Sequence, residues 1–299
     1  MTGAGSATVA FAKEDEYGDP ADPVEDTWYQ PGIDITAGDL SVDQALERVR
    51  HPHDPRPAGS RARNFEGAAS VSFTLTDDTF HELVFADSGT ALPSGPMHAP
   101  SSTWYFAVEL PDGTVEPWGA TGTIVPEVSW QYQQGEDIQV ELTMLFGDVE
   151  DDIDTPDQIE RPSKSEVYSW HGTTLKVDGF GQSLLQSASL SLSGLARFRR
   201  GTSRHPFDAV VDAIEPSLST DATFTERDQL KLAVDDVDDD PDEVDATLEF
   251  GNGLGETIGY DLSGVKPTSY AWSDLVAPDT DLAEPIEYHV SHVAVMEAE

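Results

Sequence analysis

Two histidines and an aspartate in a proline-rich stretch, His51, His53 and Asp54, are the side chains whose types and spacing could hold a metal ion. Pro52 favours an extended backbone, so both imidazoles are expected on the same side of the chain. Imidazole and carboxylate groups are common metal ligands. The sequence indicates no third protein ligand, and short motifs of this kind occur often in surface loops. We therefore interpret residues 51–63 as a surface loop and predict no metal site.

Two acidic runs resemble the start of a calcium-binding loop. A loop of the EF-hand type needs Gly at its sixth position and Glu at its twelfth. The run that begins at Asp236 has Pro241 and Thr247 at those positions, and the run that begins at Asp148 has Ile153 at its sixth. Both runs therefore fail the pattern, and we expect them to bind cations only loosely and without specificity.

The sequence contains none of the usual catalytic signatures, such as a Gly-rich phosphate loop, a nucleophile elbow or a zinc-protease helix. Carboxylates are so frequent that no pair of them can be singled out as a glycosidase dyad. His289 and His292 lie among apolar residues near the C-terminus, which is typical of outward-facing positions on a strand. We predict that the protein is not an enzyme and needs no cofactor.

The charge of the chain is extreme: 57 acidic and 16 basic residues give a formal net charge of −41. The basic residues are 11 Arg and 5 Lys, and Cys is absent. Self-repulsion of this size destabilises a compact state in dilute buffer, whereas at molar salt the Debye length falls to about 3 Å. The composition is typical of a protein from an extreme halophile. With 38% apolar residues in alternating runs, the chain has enough apolar content to form a core.

The same composition excludes several functions. Nucleic-acid binding needs Lys and Arg to neutralise phosphates, so direct binding is disfavoured, although DNA could pass such a surface without being held. Without Cys there are no disulfides and no thiol chemistry. We find no signal-peptide pattern and no apolar run of about 20 residues that could span a bilayer. We expect a soluble protein that is made inside the cell and not secreted by the ordinary route, with no membrane partner.

The chain repeats one plan twice, which suggests that each subunit supplies two equivalent building blocks to a ring or an array. Five pairs of similar segments occur in the same order in the two halves. They pair 6–12 with 187–193, 71–80 with 222–230, 109–113 with 249–253, 125–130 with 265–272, and 138–142 with 286–290.

Alternating apolar and polar residues predict strands through both halves. Residues 41–50 predict the one long helix, with Ser41 as N-cap, and residues 79–86 and 226–234 predict short helical turns. At 299 residues, two domains are the natural count. We predict a first domain over 1–150 that includes an acidic arm over 14–38 anchored by Trp28 and Tyr29. An acidic linker over 151–163 and a second domain over 164–299 follow.

The arginines fall into two clusters, one in each half. Between Arg63 and Arg161 there is no Lys or Arg at all. One interpretation is that Arg occurs wherever local pairing needs it. The other is that the clusters occupy equivalent places in the two copies and meet the acidic face of a neighbouring subunit, for which the planar guanidinium is well suited. The candidate subunit contacts are Trp28, Tyr29, Arg48, Arg50, Arg61 and Arg63 in the first half, and Arg197, Arg199, Arg200 and Arg204 in the second.

Two stretches resemble the tail tube proteins of siphoviruses. Residues 63–75, RNFEGAASVSFTL, followed by Asp77 and Asp78, are similar to the segment that enters the tube barrel in that family. Residues 198–220 are similar to the place where a long loop leads into a tube-lining strand, with Glu215 and Pro216 where a glycine is usual. The resemblance covers roughly residues 1–150 and 165–299, and the acidic composition points to a virus of haloarchaea.

The resemblance implies two tandem β-sandwich or barrel units, each with a short helix, whose strands join those of neighbouring units around a channel for DNA during genome delivery. Such tubes present six units per ring, so three chains with two units each would give pseudo-six-fold symmetry, whereas chains with one unit would need six copies. The implied partners are further copies of the chain, the tape measure, the tail terminator and the distal tail protein, all in the virion tail. The alternative is a distal tail, baseplate or adhesin-like β-sandwich protein.

Overall fold

The protein is mainly β, as predicted. The computed structural model describes residues 7–53, 56–86, 89–93, 98–163, 166–182, 184–225, 228–234, 242–273 and 281–296. Within these residues the chain forms strands along its whole length and one α-helix, α1 (Asp228–Val234). Short 3-10 helices form over Thr79–Leu83 and Trp170–Gly172.

The described residues of the first half form twelve strands. Their bounds are β1 (Ala7–Lys13), β2 (Trp28–Tyr29), β3 (Ile33–Ala37), β4 (Ser41–Asp43), β5 (Glu47–Arg50), β6 (Pro57–Arg61), β7 (Glu66–Thr74), β8 (Ser102–Glu109), β9 (Val115–Gln133), β10 (Gln139–Phe146), β11 (Asp148–Glu150) and β12 (Ile159–Glu160).

The described residues of the second half form ten strands. Their bounds are β13 (Thr174–Val177), β14 (Phe180–Gly181), β15 (Leu185–Ser193), β16 (Ala196–Arg199), β17 (Asp208–Val211), β18 (Glu215–Thr223), β19 (Val244–Gly251), β20 (Thr257–Tyr270), β21 (Ala283–His289) and β22 (His292–Val295).

One antiparallel sheet with eight strand positions runs through both halves, and we call it the long sheet. β3 and β4 share its first position because both pair with β7, at opposite ends of that strand. From β7 the order continues through β10, β9, β15, β18, β21 and β20. The first four positions belong to the first half of the chain and the last four to the second, and they meet where β9 pairs with β15.

Two smaller antiparallel sheets, the back sheets, complete the architecture. The first has the order β1, β8, β9 and β11, and the second has the order β13, β19, β20 and β22. The long strands β9 and β20 therefore serve both a back sheet and the long sheet. Each bends at a glycine with positive φ, Gly122 at 57° and Gly264 at 62°, a conformation that residues with a Cβ rarely adopt.

The two halves follow the same order of pairings. In each half, a hairpin lies between the first and second strands of the long sheet: β5 with β6, the first hairpin, and β16 with β17, the second hairpin. Four of the five segment pairs noted in the sequence fall on corresponding strands or turns. The pairing of 6–12 with 187–193 is wrong, because β1 lies in a back sheet whereas β15 lies in the long sheet.

The apolar side chains between the long sheet and the back sheets form a core that crosses from one half of the chain to the other. At its centre the rings of Trp130 and Tyr260, one from each half, lie 4.9 Å apart. Phe80, from the 3-10 helix of the first half, packs on Trp130 with ring centroids 6.1 Å apart. Burying one Phe or Leu side chain contributes about 1.5–3 kcal/mol, so separating the halves would be costly.

The predicted helix over residues 41–50 is wrong. β4 pairs with the start of β7, and β5 pairs with β6 in the first hairpin. Between them Ala45 has a φ of 44°, which breaks any helix. The helical spacing of apolar residues misled the prediction, because β7 needs a partner for its backbone and β4 provides it. The strand β6 also corrects the prediction of a loop over 51–63. The short helical turns after β7 and β18 are confirmed.

The acidic arm over 14–38 is held by its own chain. β2 pairs with β1 and with β12, and β3 pairs with β7. The linker over 151–163 also packs on the first half: Ile153 is buried there, and the hydroxyl groups of Thr155 and Tyr105 lie 3.0 Å apart. The linker is therefore part of the first half rather than a free tether.

Candidate assembly surfaces

One face of the long sheet points away from the core and is almost entirely polar. Along each strand, buried apolar residues alternate with exposed or half-buried polar ones, which is the pattern of a sheet with one solvent-exposed face. We call this the polar face. Its side chains include Glu66, Ser70, Ser72, Glu127, Ser129, Gln131, Gln139, Glu141, Thr143, Ser187, Ser189, Ser191, Ser193, Glu215, Ser217, Ser219, Asp221 and Glu287.

The carboxylates of the polar face stand among hydroxyl groups rather than among cations. Glu141 lies opposite Ser72 on one side and Ser129 on the other, and Glu127 lies opposite Thr143 and Ser193. Two cationic side chains lie near the described part of the face: Lys266, at the β20 end, whose ammonium lies 3.3 Å from a carboxylate oxygen of Glu243, and Arg200, whose guanidinium lies 3.9 Å from the Glu66 carboxylate. The face therefore carries negative charge on a surface of short side chains, which repels phosphate.

At the junction of the two halves, the apolar residues of the long sheet are buried, whereas the apolar residues at the corresponding positions on its outer edges are partly exposed. Where β9 meets β15, Trp130 lies opposite Leu190 and Val128 opposite Leu192. Trp130 and Leu192 are both 0% exposed. At the corresponding places on the outer edges, Trp272 beside β20 is 43% exposed and Val42 on β4 is 37% exposed.

Both outer edges of the long sheet are open in the part of the chain that the structure describes. There, β4 pairs only with β7, and residues 266–270 of β20 pair only with β21. An open edge presents unpaired backbone N–H and C=O groups that can pair with another chain. The sequence did not reveal these edges, because strand order depends on contacts between distant residues.

The second hairpin spans the junction and docks its tip on the base of the first hairpin. The Arg200 guanidinium donates a hydrogen bond to the Phe65 carbonyl at 2.9 Å and lies 3.9 Å from Glu66. Arg204 donates to the Arg63 carbonyl at 2.7 Å, and its own carbonyl accepts from the Phe65 N–H. The His205 ring stacks on Phe65 with centroids 4.9 Å apart.

The base of the second hairpin packs on the strands of the first half through apolar side chains. Phe198 contacts Tyr17 with ring centroids 6.1 Å apart and lies in a cluster with Ile124 and Leu145. On the facing strand, Asp208 lies 2.9 Å from His98 and 3.3 Å from Arg199. Arg197 pairs with Asp212 at 3.0 Å.

The predicted contact residues therefore divide into two groups. Arg197, Arg199, Arg200 and Arg204 all belong to the second hairpin, and their contacts are made within the chain. Arg48, Arg50 and Arg61 are exposed on the first hairpin, and the Arg63 guanidinium contacts the Glu47 carboxylate at its base.

Trp28 and Tyr29 fix the arm to their own chain, and their role as subunit contacts stays a prediction. Trp28 is fully buried, its ring lies edge-on to Tyr105 at 6.4 Å, and its indole N–H donates to the Asp22 carbonyl. Tyr29 is half-buried with its ring 5.9 Å from Phe11. These contacts fix the arm to the first back sheet.

A buried carboxylate supports the bend of β9. Glu14 accepts hydrogen bonds from the Gly122 N–H at 2.8 Å and from the Thr103 hydroxyl at 2.9 Å. A second carboxylate oxygen accepts from the Gly18 N–H. Burial raises the pKa of Glu14, and these hydrogen bonds work in the opposite direction.

The structure shows no metal-binding cluster within the residues that it describes, where no three His, Asp or Glu side chains converge. His51 and His53 lie at the exposed tip of the first hairpin, whereas Asp54 lies outside the described residues, as does most of the acidic run from Asp236. His289 and His292 are exposed, as predicted. Within the described residues, no helix has the length and apolar character to cross a membrane.

A sheet with a polar face, open edges in the described residues and a hairpin that packs on the other half of the chain is typical of one class of protein, the subunit of a β-rich assembly. A family model described as phage tail tube protein matches residues 5–287, nearly the whole sequence, and the chain belongs to that family. It is thus a structural protein of the virion tail, which assembles with copies of itself and with other tail proteins, and its family is not one of enzymes. A search of curated proteins gave no significant match.

Proposed function

We propose that three chains close into a ring, that each chain supplies two equivalent tube units, and that stacked rings form a siphovirus-type tail tube with an acidic channel. The observation that carries this proposal is the long sheet, in which four strand positions from each half follow the same order. The proposed units are residues 1–150 and 164–299, with the linker 151–163 packed on the first.

The junction between β9 and β15 serves as the template for the junction between chains. Asp43 and Ser193 occupy corresponding positions in the two halves. Asp43 lies opposite Glu66, the first residue of β7, and Ser193 lies opposite Glu215, the first residue of β18. On the long strands, Glu127 and Ser269 correspond through their partners on β10 and β21. Since Glu127 lies opposite Ser193 within the chain, the template places Ser269 of one chain opposite Asp43 of the next.

The same register covers the exposed apolar residues at the two edges. Tyr270 falls opposite Val42, as Val128 lies opposite Leu192 within the chain. Trp272 then packs against Leu40 of the next chain, as Trp130 packs against Leu190. Pairing of both edges leaves the long sheet of the ring without an open edge, which removes the hazard of exposed edges there.

The dimensions of such a ring suit the passage of DNA. Three chains with eight strand positions each would close a sheet of 24 strands. With strands about 4.8 Å apart and tilted by about 40°, the sheet would measure about 48 Å between opposite backbones. The polar face would line the channel, and its carboxylates would repel phosphate and let the duplex slide without being held.

The charge of −41 per chain supports a virus whose host keeps molar salt in its cytoplasm, as haloarchaea do. At that salt concentration the repulsion between three such chains in a ring is screened over about 3 Å. The same chain would be made in the host cytoplasm and incorporated into the tail, where the tape measure, the tail terminator and the distal tail protein would be its neighbours.

Electron microscopy of the purified protein in molar salt tests the proposal. We expect rings or tubes with true three-fold symmetry, an approximate six-fold appearance and a central channel. Single particles with no tendency to stack would contradict the tube and would favour a distal tail or baseplate protein. Tubes with six chains per ring would contradict the trimer and leave the tube function standing.

A further inference from the structure

We propose that the first hairpin of each chain docks on the base of the second hairpin of the neighbouring chain, so that hairpins run tip to base around the whole ring. This inference rests on the proposed ring of three chains. It assigns a contact surface to the arginine-rich first hairpin and to the histidines at its tip, and it identifies the partner as a second copy of the chain.

The contact already exists once within each chain. There, the tip of the second hairpin reaches across the junction and places Arg200 and Arg204 on the carbonyl groups of Phe65 and Arg63. These residues lie between β6 and β7, at the base of the first hairpin. The contact follows directly from the pairing of β9 with β15, because the second hairpin begins immediately after β15.

The first hairpin has the same place and the same pattern as the second. It follows β4 as the second follows β15, and it leads into β7 as the second leads into β18. Its first strand reads Glu-Arg-Val-Arg over 47–50, and the first strand of the second hairpin reads Ala-Arg-Phe-Arg over 196–199. The base pairs also match: residue 47 lies opposite 61, and residue 196 lies opposite 211.

The place where the first hairpin would dock is acidic. The segment between β17 and β18 corresponds to the segment between β6 and β7, so Asp212 takes the place of Arg63, and Glu215 that of Glu66. Asp212, which pairs with Arg197 at 3.0 Å, and Glu215 are exposed, as are Asp242, Glu243 and Asp245 near the start of β19, so carboxylates outnumber the cations at this place. The cationic side chains of the first hairpin include Arg56 at its tip and Arg48 and Arg50 on its first strand, and His51 and His53 add imidazole hydrogen-bonding groups at the tip.

This junction differs in character from the one within the chain. Ile124 and Leu145, on which Phe198 packs, correspond by strand register to Lys266 and His289. Val49, in the place of Phe198, is exposed and smaller. The junction between chains thus depends less on apolar packing and more on contacts between arginines and carboxylates, with Lys266 already compensated by Glu243.

Chemical cross-linking tests this contact, because the chain has no Cys of its own and introduced thiols are the only ones present. The test variant carries His53→Cys and Ala213→Cys, two exposed positions at the tip of the first hairpin and the base of the second. Tubes assembled in molar salt are treated with a short bis-maleimide and run on a denaturing gel. We expect bands of two and three linked chains.

Two matched variants make the outcome decisive. Ser203→Cys with Asn64→Cys places thiols at the contact that exists within the chain, so linkage should leave single chains. His53→Cys with Leu254→Cys keeps the tip thiol and moves the other to the exposed turn between β19 and β20, at the far end of β19 from Asp242, Glu243 and Asp245, so linked chains should fall to the single-cysteine background. Tubes in which the His53 and Ala213 pair links no better than this variant would overturn the hairpin contact. Absence of tubes for the unmodified chain would instead overturn the proposed function.

Discussion

His81 Nε2 and the Tyr260 hydroxyl lie 2.8 Å apart and join the two halves of the chain through a buried hydrogen bond. His81 belongs to the 3-10 helix after β7, and Tyr260 belongs to β20. Both side chains are almost fully buried and pack against Trp130. The bond therefore lies in the core at the place where the two halves meet.

The burial of His81 makes stability depend on pH. Burial lowers the pKa of His81 from 6.5 to about 4. The unfolded chain therefore binds a proton at His81 before the folded chain does, and stability falls as pH falls from about 6.5 to about 4. The loss approaches about 3 kcal/mol once pH is below the folded pKa. Urea unfolding at molar salt across this range measures it.

If His81 causes the pH dependence of stability, replacing its imidazole should remove that dependence. His81→Gln should lower stability at neutral pH but flatten the change between about pH 6.5 and about pH 4. His292→Gln, at an exposed position, should keep the dependence of the parent. Equal slopes for the parent and His81→Gln would show that other groups cause the effect.

Glu14 should be required for the bend of β9. Glu14→Ala leaves the buried Gly122 N–H and Thr103 hydroxyl without their acceptor, and an unsatisfied buried group costs about 1–3 kcal/mol. Thermal unfolding at molar salt should show a lower midpoint for this variant. Glu16→Ala removes a neighbouring exposed carboxylate and should have little effect. Similar midpoints for the two variants would be inconsistent with this role of Glu14.

The edge residue Trp272 should matter for assembly rather than for folding. Trp272→Ala removes a large apolar side chain that is partly exposed in the single chain, so the unfolding midpoint should change little. Tube length, measured by electron microscopy, should fall sharply because the edge loses its main apolar contact. Trp170→Ala, at a similarly exposed site away from the edges, is the matched control. Normal tubes from Trp272→Ala would contradict the proposed register.

Salt should control assembly through the net charge. On dialysis from molar to dilute salt, we expect tubes to dissociate, because repulsion within and between chains of charge −41 is no longer screened. Light scattering during the dialysis follows the process. Ordered tubes that persist in dilute buffer would contradict this expectation.

The sequence predicted the strands well where the two faces of a sheet differ in polarity, as along β7, β10 and β15. The alternation of apolar and polar residues along such a strand is a local signal. It failed over residues 41–50, where apolar residues at helical spacing lie on an edge strand and a hairpin. The segment pair 109–113 with 249–253, noted in the sequence, falls on corresponding turns after β8 and β19, and Gly113 in the first of them has a positive φ. The order of the long sheet and its open edges depend on pairings between distant residues, which no local pattern contains.

The central claim is that one chain supplies two of the six units of a ring, and a disulfide between chains tests it most directly. In the Cys-free chain, Asp43→Cys with Ser269→Cys places two thiols directly opposite each other across the proposed junction, at a separation that a disulfide can bridge. Ser41→Cys with Ser269→Cys is shifted by two residues and is the control. Oxidised tubes of the first variant should give a ladder on a non-reducing gel that ends at three chains, and the control should not. A ladder that continues to six chains, or no ladder from well-formed tubes, would contradict the account.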